Sequence, residues 1–244
     1  MDECFMATKS QLKITPRYTG DRGTTHLPWL HSRHTFSFGN YLDPDHVGFR
    51  SLRVINEDRL APGKGVPEQN HYFMEILLVV TSGILKYEDN LGRDEQLDAG
   101  DLQLVSTGRG VSHRESNPSE DSPTHYLEIW IQSDDSVGEP RSVEIELEAH
   151  RVTNGLALLA SAEGQSRSAL IRQDAEVFFG DLSEGNTFEV PYAEAYPYAW
   201  IQVLSGEVEI EDTTLADGDG ASIEASEFPI TATENAEFLL IRLP

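Results

Sequence analysis

Cysteine is nearly missing from this chain: Cys4 is the only one among 244 residues. No intramolecular disulfide can form, so burial and hydrogen bonding must hold the fold, as suits a reducing compartment. Basic residues are also scarce, 18 against 42 acidic ones, for a formal net charge of −24. That charge repels phosphate backbones and anionic lipid surfaces, which argues against direct nucleic-acid contact and against a membrane partner. No apolar run is long enough to span a bilayer. The start, Met1-Asp2-Glu3-Cys4, has no basic leader ahead of an apolar stretch, so the expected location is the cytoplasm. A chain of this length can bury one large core or two of ordinary size without staples.

What is present reads as all-β. Short runs rich in β-branched and aromatic residues occur at 76–80, 84–88, 102–106, 126–132, 199–204 and 237–243, broken by glycine, proline and aspartate. Two of the turns recur in the same order. Ser82-Gly83 is followed by Gly100-Asp101, and Ser205-Gly206 by Gly218-Asp219, each pair framing similar strands. Two copies of one β unit are the simplest account. The polar, turn-rich stretch 133–140 suggests a boundary, giving domains at 1–135 and 136–244, although 142–149 alternates well enough to be one further strand.

The chemistry concentrates in the first copy. Gln69 and His71, and again His113 and Glu115, stand two residues apart. On a strand that spacing puts both side chains on one face. Four nitrogen and oxygen donors converging this way suit a divalent first-row transition metal. The plainer alternatives are a polar His71 at the mouth of the unit and a simple His113–Glu115 pair. Glu75 shares face parity with His71 and is expected close by, as a supporting carboxylate. Alignment of the two copies sets Tyr192 and Glu194 opposite Gln69 and His71, and Thr231 and Thr233 opposite His113 and Glu115. The second copy is therefore expected to be metal-free.

The segment Gly65-Val66-Pro67-Glu68-Gln69-Asn70-His71-Tyr72-Phe73-Met74-Glu75, closed by Gly83, resembles the first cupin motif. The segment Gly108-Arg109-Gly110-Val111-Ser112-His113-Arg114-Glu115 resembles the second, in the form found in the pirin branch of the bicupins. Arg33-His34-Thr35-Phe36-Ser37-Phe38-Gly39-Asn40-Tyr41-Leu42-Asp43-Pro44 is also similar to a pirin signature. The resemblance implies two jelly-roll-like β-barrel domains facing each other in one chain. It implies metal, iron first and other first-row metals next, held by three histidines and a glutamate. Residue by residue these fall on Gln69, His71, His113 and Glu115, and Gln69 departs from the pattern. A neutral amide oxygen in place of an imidazole implies weaker affinity, a different metal preference, or an empty site. His34 is expected to orient structure near the site. Trp29, Phe36, Phe38 and Tyr41 either wall a pocket or serve packing.

Pirin-like bicupins include proteins that cleave quercetin-type flavonols with O₂. By resemblance, Glu115 is the general base and the partners are a small-molecule flavonol and O₂, acted on by a monomer. The alternative is a non-catalytic regulator with a protein partner and a weakened metal site. A third reading, a barrel that binds a sugar or small acid without redox chemistry, is left open by the residues.

Overall fold

The computed structural model describes residues 12–134, 138–165, 168–225 and 227–244. Cys4 and the expected boundary at Asp135/Ser136 lie outside them. The described residues are mostly strand, with a 3₁₀ turn at Thr19–Asp21 and one helical turn at Leu147–His150. None of their helices is long and apolar enough to cross a membrane.

The strands form four sheets. A seven-stranded sheet of the first half runs Arg141–Glu146, Asp101–Ser106, Met74–Ser82, Thr124–Gln132, Leu52–Leu60, Leu30–His34, Gly23–Leu27. A four-stranded sheet runs Gln69–His71, Val111–Ser116, Ile84–Asp89, Asp94–Asp98. The second half repeats this plan. Its seven-stranded sheet runs from Lys13–Arg17 to Ala169–Leu170, and its four-stranded sheet from Thr187–Val190 to Thr213–Ala216. Two strands cross over in sequence terms. Lys13–Arg17 pairs with Gly220–Glu224 in the second half, and Arg141–Glu146 with Asp101–Ser106 in the first.

The expected barrels do not form. Each sheet is open and ends on edge strands with a single ladder, Gln69–His71 and Asp94–Asp98 in the small sheet of the first half. Closure would need every strand paired on both sides. Here the chain passes from large sheet to small sheet through turns, and side chains rather than ladder hydrogen bonds join the two layers. Alternating hydrophobicity is the same in a sandwich and a barrel, which is why the sequence did not separate them.

Alternation then builds the layers. Along Thr124–Gln132, Leu127, Ile129 and Ile131 point one way and Tyr126 and Trp130 the other. The first set joins a central core with Leu159, Val177, Phe179 and Leu239 of the second half, so the two large sheets pack face to face. Phe36 belongs to this core, edge-on to Trp200 with ring centroids 5.3 Å apart, and is a packing residue. The second set faces the small sheet and shares a core with Leu85, Tyr87 and Leu97. That inner space, roofed by a small sheet and floored by a large one, holds the candidate site.

The repeated turns are alike in detail. Gly83 and Gly206 both have positive φ, 77° and 75°, and Gly100 and Gly218 follow at 96° and 81°. A Cβ on Gly83 would stand 2.6 Å from the Pro123 carbonyl oxygen, and one on Gly206 2.0 Å from that of Asn235. A Cβ on Gly100 would meet nothing within 4 Å. Gly100→Ala should therefore cost only the backbone term, about 1 kcal/mol. Gly83→Ala and Gly206→Ala should each cost at least about 1 kcal/mol more for the clash. Urea unfolding of the three variants checks this, and equal losses would contradict it.

Candidate metal centre

The site begins with an antiparallel pair. Gln69–His71 lies beside Val111–Ser116 with Gln69 opposite His113 and His71 opposite Val111. The i, i+2 spacing thus puts Gln69, His71, His113 and Glu115 on one face of the small sheet. His71, His113 and Glu115 are buried, at 5%, 1% and 1% exposure, and Gln69 is half-buried at the edge. The two imidazoles stack with centroids 4.6 Å apart and planes at 19°. Glu115 Oε1 lies 3.1 Å from His113 Nε2, without the alignment of a hydrogen bond. The Tyr126 hydroxyl donates to the other Glu115 oxygen, Oε2, at 2.8 Å.

The large sheet adds a residue that the spacing does not reveal. Glu128 sits between Tyr126 and Trp130 on the inward face of the Thr124–Gln132 strand and is 2% exposed. A carboxylate oxygen of Glu128 and ring nitrogens of His71 and His113 all lie within 4.8 Å of one another. No other group of three histidine, cysteine or acidic side chains is so arranged among the described residues. A trace of Glu128 exists in the sequence: it is an acid in an otherwise apolar strand centre, Tyr126-Leu127-Glu128-Ile129-Trp130.

Glu75 takes no part. Its oxygens accept from the Ser106 and Ser133 hydroxyls, and its neighbours Leu77 and Val79 face the central core. Face parity is lost because Phe73, at φ 59°, interrupts the extended chain between Gln69–His71 and Met74–Ser82. In the second half, Thr187 stands opposite Thr231, their hydroxyls 2.8 Å apart, while Tyr192 and Glu194 lie beyond the strand and are exposed. The structural counterpart of Gln69 is thus Thr187. His34 does reach toward the site. Its Nδ1 donates to Asn56 Oδ1 at 2.8 Å, and its Nε2 accepts from the Thr25 hydroxyl at 2.8 Å. Asn56 is the cross-strand neighbour of Glu128. Trp130 stands edge-on to His71, centroids 4.6 Å apart, and Phe38 packs in turn on Trp130.

The electrostatics are those of a cluster short of positive charge. Burial, then the neighbouring His113, pushes the His71 imidazole down to about 4, against the pull of Glu115. Burial and the charges of Glu115 and Asp58 push Glu128 well above the ordinary carboxylate range. Burial raises Asp58 to about 7. The donor atoms His71 Nε2, His113 Nδ1 and Nε2, Glu115 Oε1 and Glu128 Oε1 are all buried without a hydrogen-bond partner. Unpaired buried donors and acceptors cost about 1–3 kcal/mol each. A divalent cation among His71, His113 and Glu128, the three whose donor atoms are mutually close, would satisfy one atom of each, with Glu115 beside His113 outside that group, so the residues present fit a metal.

The His71 shift has a measurable consequence. Above pH 6.5 the imidazole is neutral in both folded and unfolded chains and contributes nothing to pH dependence. As pH falls from 6.5 toward 4, the unfolded chain takes the proton first, so stability is lost, by about 3 kcal/mol in all. Denaturant unfolding in chelator should show this extra acid loss in the native chain and not in His71→Gln. Superimposable pH profiles would contradict it.

Comparison with known proteins agrees with this architecture. The Pirin family profile matches residues 17–131, and that of the quercetinase C-terminal cupin domain matches 158–243. Quercetin 2,3-dioxygenase of Escherichia coli (strain K12) is 35% identical over 229 residues, 93% of this chain and 97% of that protein. The pirin-like protein YhaK of the same organism is 32% identical over 237 residues, 95% of this chain and 99% of that protein. The crystal structure of Escherichia coli pirin YhhW in complex with nickel(II) superposes with a TM-score of 0.89 at 34% identity. It covers 95% of this chain and 99% of that one. With both halves matched and the His/His/Glu cluster between the sheets of the first, the chain belongs to the pirin family of the cupin superfamily.

Proposed function

We propose that the protein is a metal-dependent dioxygenase of the quercetinase type, acting as a monomer on a flavonol and O₂. Residues 1–135 form the reacting unit and residues 136–244 a metal-free unit that braces it. Gln69, His71, His113 and Glu115 hold the metal, with iron the first choice among divalent first-row ions. Support comes from one observation above all: ring nitrogens of His71 and His113 and the Oε1 of Glu115 are buried between two sheets without protein partners, and the group within 4.8 Å of one another is the two histidines with a carboxylate oxygen of Glu128, not with Glu115. The relative named quercetin 2,3-dioxygenase and the nickel(II) complex of YhhW point the same way.

Bound there, a divalent metal supplies a Lewis-acid position that lowers the pKa of an enolic hydroxyl. The protein supplies the rest. His71, pushed down to about 4, offers a free ring nitrogen at neutral pH without competition from a proton. Tyr126 pins Glu115 Oε2, so Oε1 is the oxygen that would meet the metal and, on partial release from it, accept the substrate's hydroxyl proton as general base. Tyr87, Trp130 and the apolar residues behind them keep water from the reacting atoms.

A regulatory reading has its own support in Gln69, which stands where the family motif has histidine, and in the net charge of −24, which favours protein partners over nucleic acid. In that case His71→Ala and Glu115→Ala change partner affinity together with metal content.

The enzymatic reading predicts O₂-dependent consumption of quercetin with release of carbon monoxide by protein loaded with iron(II) or another first-row metal. Glu115→Gln should lower kcat by about 10²–10⁴-fold, the usual worth of a general base. His113→Ala should abolish turnover with loss of the metal. Absence of turnover with every first-row ion tested would refute the assignment for flavonols.

A further inference from the structure

Glu128 is a buried acid with no ion pair. Among the described residues no lysine, arginine or histidine forms a salt bridge with it, and its Oε1 accepts no hydrogen bond. It lies on the central strand of the large sheet, 2% exposed, with apolar neighbours on both sides along the chain. An ionised carboxylate in such a place costs several kcal/mol unless a cation or a proton meets it. Two features of the site favour a cation. The carboxylate is already within 4.8 Å of ring nitrogens of both His71 and His113, whose free nitrogens also have no partner. A polar train also stands beside it: Thr25, His34 and Asn56 are joined by two 2.8 Å hydrogen bonds, and Asn56 is the cross-strand neighbour of Glu128.

On the opposite sheet, Gln69 faces His113 from the edge strand as a neutral amide, the weakest donor of the set. We propose that Glu128 ligates the metal directly and takes over the coordinating role that Gln69 fills poorly, a proposal that rests on the reading of His71 and His113 as ligands. The donor set is then two imidazoles and two carboxylates, Glu115 and Glu128, drawn from both sheets. Two carboxylates neutralise a divalent ion inside the sandwich, where a three-histidine, one-carboxylate set would leave a net positive charge. The exchange of nitrogen for oxygen shifts relative preference toward the harder ions, manganese(II) and iron(II), and away from nickel(II).

The experiment compares the full chain with Glu128→Gln, Gln69→His, the double variant and His113→Ala. Each is stripped with chelator and titrated calorimetrically with manganese(II), cobalt(II) and nickel(II), and the cobalt(II) d–d absorption is recorded. Glu128→Gln keeps the side-chain shape, and Glu128→Asp, which keeps the carboxylate, stands beside it should the amide impair folding. Loss of a supporting hydrogen bond to a ligand costs 10–100-fold in affinity. A ligand should cost more, so Glu128→Gln is expected to weaken manganese(II) binding by over about 100-fold and to change the cobalt(II) spectrum. Glu128→Asp should retain part of the affinity. Adding Gln69→His to Glu128→Gln should restore binding, more for nickel(II) than for manganese(II). If Glu128→Gln leaves affinities and spectrum unchanged while His113→Ala abolishes both, Glu128 is a buried protonated acid and the proposal is overturned, with the metal site intact. If the unaltered chain binds none of the three ions, the metal reading falls and the proposal with it.

Discussion

Charge without protein compensation is the constraint on which this structure turns. Between the sheets of the first half lie two imidazoles and two carboxylates, all but sealed from water, and their free atoms find no donor or acceptor in the protein. Other buried charges have partners, although Asp58 keeps a buried Oδ1 without one. Arg22 meets Glu57 at 2.9 Å, and His125 reaches the other oxygen of Glu57 at 2.8 Å. The contrast makes the unmatched cluster informative. An apolar interior tolerates such a group only if something outside the polypeptide completes it or if protons neutralise it.

The sandwich supplies what that completion needs. A small sheet presents His71, His113 and Glu115 from adjacent strands, and a large sheet presents Tyr126, Glu128 and Trp130 from its middle. Both supports are rigid because each strand is fixed in a ladder and, for the large sheet, by packing against its counterpart from the second half. The second half thus contributes to the site without touching it. Its own inner space is lined by an apolar core, and hydroxyls stand where the donors would be.

The shared face of Gln69, His71, His113 and Glu115 was legible because strand parity is a strong rule over short distances. His71, His113 and Glu115 each follow from an i, i+2 pair on a short strand. The same rule misled at Glu75, because the positive φ at Phe73 breaks the extended run that parity assumes. It also misled at Tyr192, where alignment on a turn could not foresee that the edge strand of the second half ends at Val190. Glu128 was hidden for a different reason. A single acid in an apolar strand carries no spacing signal, and only the register of Thr124–Gln132 against its neighbours brings it under the histidines. The all-β class and the repeat followed from turn chemistry, above all the Ser-Gly and Gly-Asp pairs. Closure into barrels did not follow, since alternation reports which face is buried and not whether the edges meet.

The central claim is that a cation completes the cluster. Elemental analysis of protein purified without added metal tests it most directly. The account predicts close to one first-row divalent ion per chain in the native protein and almost none in His113→Ala. A native protein that carries no such ion, and takes none up when dialysed against one, would contradict it.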